Sequence, residues 1–193
     1  MTITPKILAF AGSLRRDSFN KKLVRVAMAG ARQAGAEVTF IDLKDYPLPI
    51  YDGDIEDESG MPENALKLQD LFCENNGLLI ACPEYNSSFS GALKNTIDWI
   101  SRPRKERTPL FCFDGKVAGL MAASPGGLGG IRMLPSLRTL LQNIKVIVTP
   151  TMMSVPKAHQ AFNEQGDLID AKQKASVEAI GAEVTNLLAK LNQ

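Results

Sequence analysis

A polar loop near the start of the sequence carries groups that suit the binding of a phosphate. The stretch Gly12–Asn20 brings together two hydroxyls, a guanidinium and an amide, on Ser13, Arg15, Ser18 and Asn20. The loop stands between a predicted strand and a predicted helix, and the N–H groups at the start of a helix attract anions. It matches neither G-x-G-x-x-G nor the P-loop pattern, which disfavours dinucleotide and P-loop nucleotide binding. From these residues alone, a phosphate site and a polar loop capped by Ser18 are both open.

A second unusual loop, Pro83–Gly91, follows an apolar stretch in the middle of the chain. Pro83 stiffens its turn, so the peptide groups of residues 84–86 can face the edge of a flat heteroaromatic ring. Tyr85 offers an aromatic ring for stacking or for the wall of a pocket. Taken singly, Tyr85 suits a half-buried packing position and Glu84 suits an exposed surface position.

A third loop, Ser124–Gly130, contains four glycines in seven residues. Glycine is costly in chain entropy, so this density makes sense where the backbone runs close to a planar ligand or has to flex. An ordinary flexible loop before a helix is the alternative, and this loop alone does not decide between the two.

The remaining reactive side chains argue against disulfide, metal and triad chemistry. The three cysteines form no C-x-x-C pair, and the one histidine, His159, lies in a polar segment without a G-x-S-x-G motif. Five acids between Asp52 and Glu58 suit a solvated loop better than a metal site. We therefore nominate no catalytic side chain and no metal, and expect the hard chemistry to come from a cofactor.

Composition and charge narrow the partners and the location. The chain has 193 residues and a formal net charge of +1, which indicates neither nucleic acid nor a membrane surface as a partner. No apolar run approaches the roughly 20 residues that span a bilayer. The short apolar run after Lys6 lacks a cleavage site and is interpreted as a first strand rather than a signal peptide. We expect a cytoplasmic protein.

Apolar and helix-like segments alternate and predict the elements that position the three loops. Short apolar stretches predict strands at Lys6–Ala11, Ala36–Leu43, Gly77–Pro83, Val117–Ala123 and Lys145–Val148. Helical spacing predicts helices at Phe19–Ala34, Pro62–Asn75, Gly91–Ser101, Leu128–Gln142 and Asp170–Leu191. The segments Tyr46–Met61 and Arg102–Pro109 are predicted to be loops.

Apolar strands separated by helices predict a parallel sheet that is covered on both faces. Five such units in 193 residues fit a flavodoxin-like α/β fold, a three-layer sandwich with strand order 2-1-3-4-5, in a single domain over residues 1–193. Ligands of such sheets bind at the carboxyl edge, at the switch point between strands one and three. The three unusual loops should therefore converge there.

Two motifs, GSLRRDSFNKKL and PEYNSSFSGALKNTIDWISR, closely resemble the NADPH-dependent FMN reductase family. This family includes bacterial quinone and chromate reductases and flavin-dependent azoreductases, and the resemblance runs from about residue 5 to about residue 150. It implies a flavodoxin-like fold, one noncovalent FMN per subunit, and NAD(P)H as the electron donor.

The resemblance also implies roles for individual residues. The FMN phosphate would be held by Ser13, Arg15, Ser18 and Asn20. The isoalloxazine ring would be lined by Pro83, Glu84, Tyr85 and Asn86, and touched by Ser124 and Gly127. Substrates would meet Tyr85 and Arg102, the latter as a dock for the NADPH 2′-phosphate or for an anionic acceptor. The other cations of the basic run up to Arg107 are interpreted as a solvated loop.

The implied reaction is hydride transfer from the nicotinamide to bound FMN, followed by reduction of a quinone-type acceptor. Chromate, azo dyes and metal ions are further candidate acceptors. A flavodoxin-type electron carrier and an FMN-binding redox-sensing module are the alternatives, although carriers of that type are usually acidic. The family further implies a homodimer or a dimer of dimers, with the segment Leu43–Asp52 near the subunit boundary. Arg132 matches chromate-reductase relatives, but Pro135 replaces a Tyr at their tetramer contact, so the tetramer is less secure.

Overall fold

The computed structural model describes residues 4–191, so both ends of the predicted 1–193 domain lie outside the described residues. Five parallel strands form one sheet in the order β2-β1-β3-β4-β5. The strands are β1 Lys6–Ala11, β2 Glu37–Asp42, β3 Gly77–Ala81, β4 Val117–Ala123 and β5 Ile147–Val155. This order confirms the predicted flavodoxin-like α/β fold.

Helices cover both faces of the sheet. They are α1 Phe19–Gln33, α2 Gly53–Ser59, α3 Glu63–Cys73, α4 Gly91–Ile100, α5 Met133–Asn143, α6 Ala158–Ala161 and α7 Ala171–Leu191. Helices α1 and α7 pack on one face, and α3, α4 and α5 pack on the other. No helix within residues 4–191 is both long and apolar enough to cross a membrane.

The three central strands are buried on both faces because successive side chains feed two separate cores. In β3, Leu78 and Ile80 join the core under α3–α5, whereas Leu79 and Ala81 join the core under α1 and α7. This two-sided burial is the reason that the central strands read as continuous apolar runs rather than as alternating ones. Their carboxyl ends consequently open at one edge of a rigid sheet.

The largest differences from the predicted elements lie at α2, α5 and β5. The predicted loop Tyr46–Met61 contains α2, which starts where the Asp52 carboxylate accepts a hydrogen bond of 3.0 Å from the Asp54 N–H. Helix α5 starts at Met133 rather than Leu128, because glycines with positive φ at 129 and 130 interrupt the chain. Strand β5 extends to Val155 rather than Val148, since an edge strand tolerates Pro150.

Candidate functional site

The loops after β1, β3 and β4 meet at the carboxyl edge of the sheet, as predicted from the strand order. They enclose one depression, lined by Ser13, Arg15, Asp17, Ser18, Phe19, Asn20, Pro83, Glu84, Tyr85, Ala123, Ser124 and Pro125. Eight of the ten predicted cofactor residues therefore share one site. The other two, Asn86 and Gly127, are exposed and do not contribute to this lining.

The first loop presents hydrogen-bond donors around the start of α1. The Ser18 hydroxyl makes no capping hydrogen bond, and the first helical bond runs from the Lys22 N–H to the Ser18 carbonyl at 3.2 Å. The N–H groups of residues 19–21 thus lack intrahelical acceptors and face the loop. Ser13 and Ser18 are buried, whereas Arg15 is exposed at the rim. Hydroxyls, a guanidinium and helix N–H groups together are the chemistry that a phosphate group requires.

Asn20 ties the first loop to the third. Its Nδ2 donates to the Ala123 carbonyl and its Oδ1 accepts from the Ala123 N–H, both at 2.9 Å. The amide therefore holds the start of α1 against the end of β4, and only its second Nδ2–H is left to reach a ligand. Contact between Asn20 and a phosphate stays a prediction. The structure shows in addition that Asn20 positions the first loop against β4.

Ser90 ties the first loop to the second and was missed by the sequence analysis. Its hydroxyl donates to the Gly12 carbonyl and accepts from the Leu93 N–H at 3.2 Å, so it caps α4 as well. A Cβ at residue 12 would lie 2.8 Å from the Cys82 sulfur, so a larger residue there would have to displace that sulfur. Burial raises the pKa of the Cys82 thiol to about 11, which makes it a neutral packing group. In the sequence, Ser90 followed by Gly91 indicates the start of a helix. No neighbouring residue indicates that the Ser90 hydroxyl also bonds the Gly12 carbonyl.

The second loop contains a strained two-residue turn. Asn86 and Ser87 adopt φ values of 51° and 66°, in the left-handed region that ordinary residues rarely occupy. Reciprocal hydrogen bonds of 2.9 and 3.0 Å join Tyr85 and Ser88 across the turn. Strain of this kind persists where the surrounding structure fixes it, and it is concentrated at functional sites. The turn holds the Tyr85 ring half-exposed beside the depression.

Glu84 joins the second loop to the helix after the third. Its carboxylate pairs with the Arg132 guanidinium at 2.7 Å and accepts the N–H groups of Arg132 and Met133 at 3.1 and 3.3 Å. A carboxylate at the start of α5 is favoured by the N–H groups and the helix dipole there. The Glu84 side chain is only 8% exposed, so Glu84 does not occupy the exposed surface position that its residue type alone suggests. Its backbone remains at the depression.

The glycine-rich third loop divides into a tight part and an open part. A Cβ at Gly129 would lie 2.7 Å from the backbone of Val155 and Pro156, so this glycine anchors the loop to the end of β5. A Cβ at Gly127 would have no atom within 4 Å. The open part leaves room for a flat group against the backbone. These features fit FMN. The placement of its phosphate at the first loop and of its ring against the second and third stays a prediction.

Arg102 lies outside this depression. Its Nε pairs with the Glu56 carboxylate at 2.8 and 3.0 Å, and its guanidinium lies 5.6 Å from the Tyr51 ring centroid. The hydrogen bond with Glu56 raises the pKa of Arg102. Its side chain remains 41% exposed, so contact with a substrate stays a prediction.

Comparisons with known proteins agree with this geometry. The sequence matches the family model described as NADPH-dependent FMN reductase over residues 5–160. It is 33% identical over 175 residues to an NAD(P)H-dependent FMN reductase of Pseudomonas aeruginosa, which covers 90% of this chain and 89% of that protein. It is 35% identical over 159 residues to a 2-hydroxy-1,4-benzoquinone reductase of a Burkholderia species, with coverage of 82% and 80%.

A solved structure is also similar over nearly its whole length. The flavoenzyme FerB of Paracoccus denitrificans, an NAD(P)H:acceptor oxidoreductase, superposes with a TM-score of 0.77 at 28% identity, over 95% of this chain and 98% of that chain. These matches confirm the resemblance drawn from the two motifs. The chain belongs to the NADPH-dependent FMN reductase family.

Proposed function

We propose that this protein is an NAD(P)H-dependent FMN oxidoreductase that reduces quinone-type acceptors. The observation that carries the proposal is the convergence of the donor-rich loop after β1 with the Pro83–Tyr85 turn and Ser124 in one depression. Membership of the FMN reductase family supports the cofactor and the donor. The benzoquinone reductase among the relatives supports the class of acceptor.

The first loop would bind the FMN phosphate. The buried hydroxyls of Ser13 and Ser18 can donate to phosphate oxygens, and the Arg15 guanidinium can close over them from the rim. The N–H groups at the start of α1 would add their dipole. Because Asn20 and Ser90 fix this loop to β4 and α4, the donors would be in place before FMN arrives, which lowers the entropy lost on binding.

The second and third loops would hold the ring. FMN, when bound, would supply the redox chemistry by taking reducing equivalents from NAD(P)H and passing them to the acceptor. The chain would supply position: the strained turn sets Tyr85 beside the ring, and the Glu84–Arg132 pair fixes that turn to α5. No side chain is required as an acid or base for this task.

An apolar rim would receive the nicotinamide and the acceptor in turn. Four of the exposed large hydrophobic residues belong to the three site loops and the turn before α5, namely Leu14, Tyr85, Leu128 and Ile131. Planar rings such as nicotinamide and quinone suit contacts of this kind. No feature of the described residues selects for chromate, azo dyes or metal ions, so these acceptors stay predictions.

We further propose a cytoplasmic homodimer. Ile50 is 80% exposed within the segment Leu43–Asp52. The same segment lines a mostly apolar groove whose walls are formed by Leu14, Leu43, Lys44, Tyr46, Pro47, Leu48, Ala92, Asn95 and Thr96. An exposed apolar side chain and an apolar groove in one segment suit an interface between two copies. The three free cysteines suit a reducing compartment. Sedimentation of the purified protein would distinguish a dimer from a monomer or a dimer of dimers.

The test of the proposed activity has two stages. FMN titrated into the flavin-free chain should bind at one site per chain and quench the flavin fluorescence. The loaded protein should then oxidise NADPH with multiple turnovers when 1,4-benzoquinone is present. FMN binding without turnover would favour the electron carrier or the redox-sensing module, and no FMN binding would exclude all three functions.

A further inference from the structure

Two of the three cysteines lie close together, on the face of the sheet covered by α3, α4 and α5. Cys112 is buried, and its sulfur lies 3.9 Å from the Gln69 carbonyl oxygen. That oxygen also accepts the N–H of Cys73, one helical turn later at the end of α3. The Cys112 sulfur therefore lies against the last turn of α3, the turn that bears Cys73.

Cys73 and two cations contribute to the electrostatic surroundings of the Cys112 thiol. Burial raises the pKa of the Cys112 thiol, and the neighbouring Cys73 thiol raises it further. The charges of Lys116 and Arg104 act in the opposite direction. Lys116 is itself buried, and its Nζ donates to the Asn75 carbonyl just beyond α3.

Cys73 is the accessible member of the pair. It lines a groove with Asp70, Arg104, Lys105, Glu106, Arg107 and Phe111. Three of these side chains are cationic and two are acidic, and Arg104 already pairs with Asp70 at 2.5 Å. The groove can thus admit a small anionic molecule to one sulfur, whereas the second sulfur is shielded behind it.

We propose that Cys73 and Cys112 form a redox-active dithiol that is oxidised by low-molecular-weight disulfides. The Cys73 thiolate attacks one sulfur of the disulfide, forms a mixed disulfide and releases one thiolate. Cys112 then loses its proton, attacks the Cys73 sulfur and displaces the second thiolate. The protein loses two hydrogen atoms, the reagent gains two as two thiols, and a Cys73–Cys112 disulfide joins α3 to the segment before β4. Neither step involves the flavin site.

The experiment treats the purified FMN-loaded protein with oxidised glutathione, quenches with acid and maps the peptides by mass spectrometry. The wild type should lose two hydrogen atoms and yield a linked Cys73–Cys112 peptide. This product should exceed the glutathione adduct by about tenfold or more, since the second step is intramolecular. Dithiothreitol should restore both thiols.

Variants separate the pair from an ordinary surface thiol. Cys112→Ser should stop at the glutathione adduct on Cys73, and Cys73→Ser should give neither product. Cys82→Ala, which leaves the pair intact, should form the disulfide to the wild-type extent. A wild type that only accumulates the adduct, that links Cys82 instead, or that does not react would overturn the proposal. The wild-type map is decisive even where a variant folds poorly.

Discussion

Glycine serves opposite purposes in two regions of this molecule. Between α1 and α7, a Cβ at Gly30 would lie 2.0 Å from the Glu178 carbonyl oxygen, and a Cβ at Gly181 would lie 2.0 Å from that of Ala27. In the loop after β4, a Cβ at Gly127 would have no atom within 4 Å. The first region uses glycine to bring two helices into backbone contact, and the second leaves backbone exposed where we propose that the flavin ring lies.

This contrast separates stability from binding. Substitution in the α1–α7 interface should lower the free energy of unfolding and leave FMN affinity of the folded protein unchanged. Substitution among the donors of the site should do the reverse, because Arg15 is exposed and supports no packing. Variants on each side of this division, and at one residue that belongs to both, test it.

The largest effect is expected for Gly181→Ala. The added methyl group would overlap the Ala27 carbonyl oxygen, so the two helices must separate along their contact. We expect the free energy of unfolding to fall by about 3 kcal/mol. This value is net of the roughly 1 kcal/mol by which alanine is favoured over glycine within a helix. Urea unfolding measures the change.

Gly53→Ala is the matched control, because a Cβ there would have no atom within 4 Å. Its unfolding midpoint should stay close to that of the wild type. A Gly181→Ala protein that is as stable as the wild type would mean that the α1–α7 contact does not depend on glycine.

Arg15→Ala tests the binding side of the division. Loss of a charged hydrogen-bonding partner costs about 1.5–3 kcal/mol, so the Kd for FMN should rise roughly 10- to 150-fold. The unfolding midpoint of the flavin-free protein should not change. Fluorescence titration with FMN gives the Kd.

Arg16→Ala provides the comparison for Arg15→Ala. Arg16 is equally close in sequence but pairs with Asp17 at 3.4 Å and does not line the depression. Its FMN affinity should match that of the wild type. Full FMN retention by Arg15→Ala would count against the phosphate assignment, and equal losses in both variants would indicate a general charge effect.

Gly12 is the residue whose substitution should affect both stability and FMN binding. It is the first residue of the phosphate loop, yet a Cβ added there would lie 2.8 Å from the Cys82 sulfur and 3.2 Å from the Leu93 Cβ. Gly12→Ala should therefore lose about 1.5 kcal/mol of stability and also bind FMN more weakly. The double variant Gly12→Ala/Cys82→Ala should recover part of both losses, because it removes the sulfur. Unchanged FMN affinity in the single variant would show that the loop tolerates displacement.

The sequence predicted the sheet well because the central strands are buried on both faces. The bounds of β1 and β4 agree with the prediction, and the strand order follows from right-handed crossovers. The elements at the periphery of the fold were harder to predict from the sequence. Helix α2 buries no residue and starts on an aspartate cap, so its acidic sequence resembles a loop.

The site was predictable to the level of loops but not of side-chain partners. The three loops could be placed together because parallel strands share a carboxyl edge. The bonds between Asn20 and Ala123, between Ser90 and Gly12, and between Arg132 and Glu84 join residues that are far apart in sequence. No local pattern encodes such contacts, so the positioning residues came only from the structure.

The smallest effect is expected for Arg102→Ala, which lies outside both regions of the comparison. If Arg102 docks the 2′-phosphate, its loss should raise the Michaelis constant for NADPH about fivefold, since an exposed charge pair contributes about 1 kcal/mol. The constant for NADH, which lacks that phosphate, should not change. Because the lost pair with Glu56 is half-exposed, stability should fall by less than about 1 kcal/mol.

Arg107→Ala is the control for Arg102→Ala, because Arg107 belongs to the same basic run and its guanidinium lies 5.4 Å from the Phe111 ring centroid. It should leave both Michaelis constants unchanged. An equal rise for NADPH and NADH in Arg102→Ala would assign the effect to the loss of the Glu56 pair rather than to phosphate recognition. Unchanged constants would leave Arg102 with a purely structural role, in which it fastens α2 to the end of α4, and would restrict substrate recognition to the rim of the three loops.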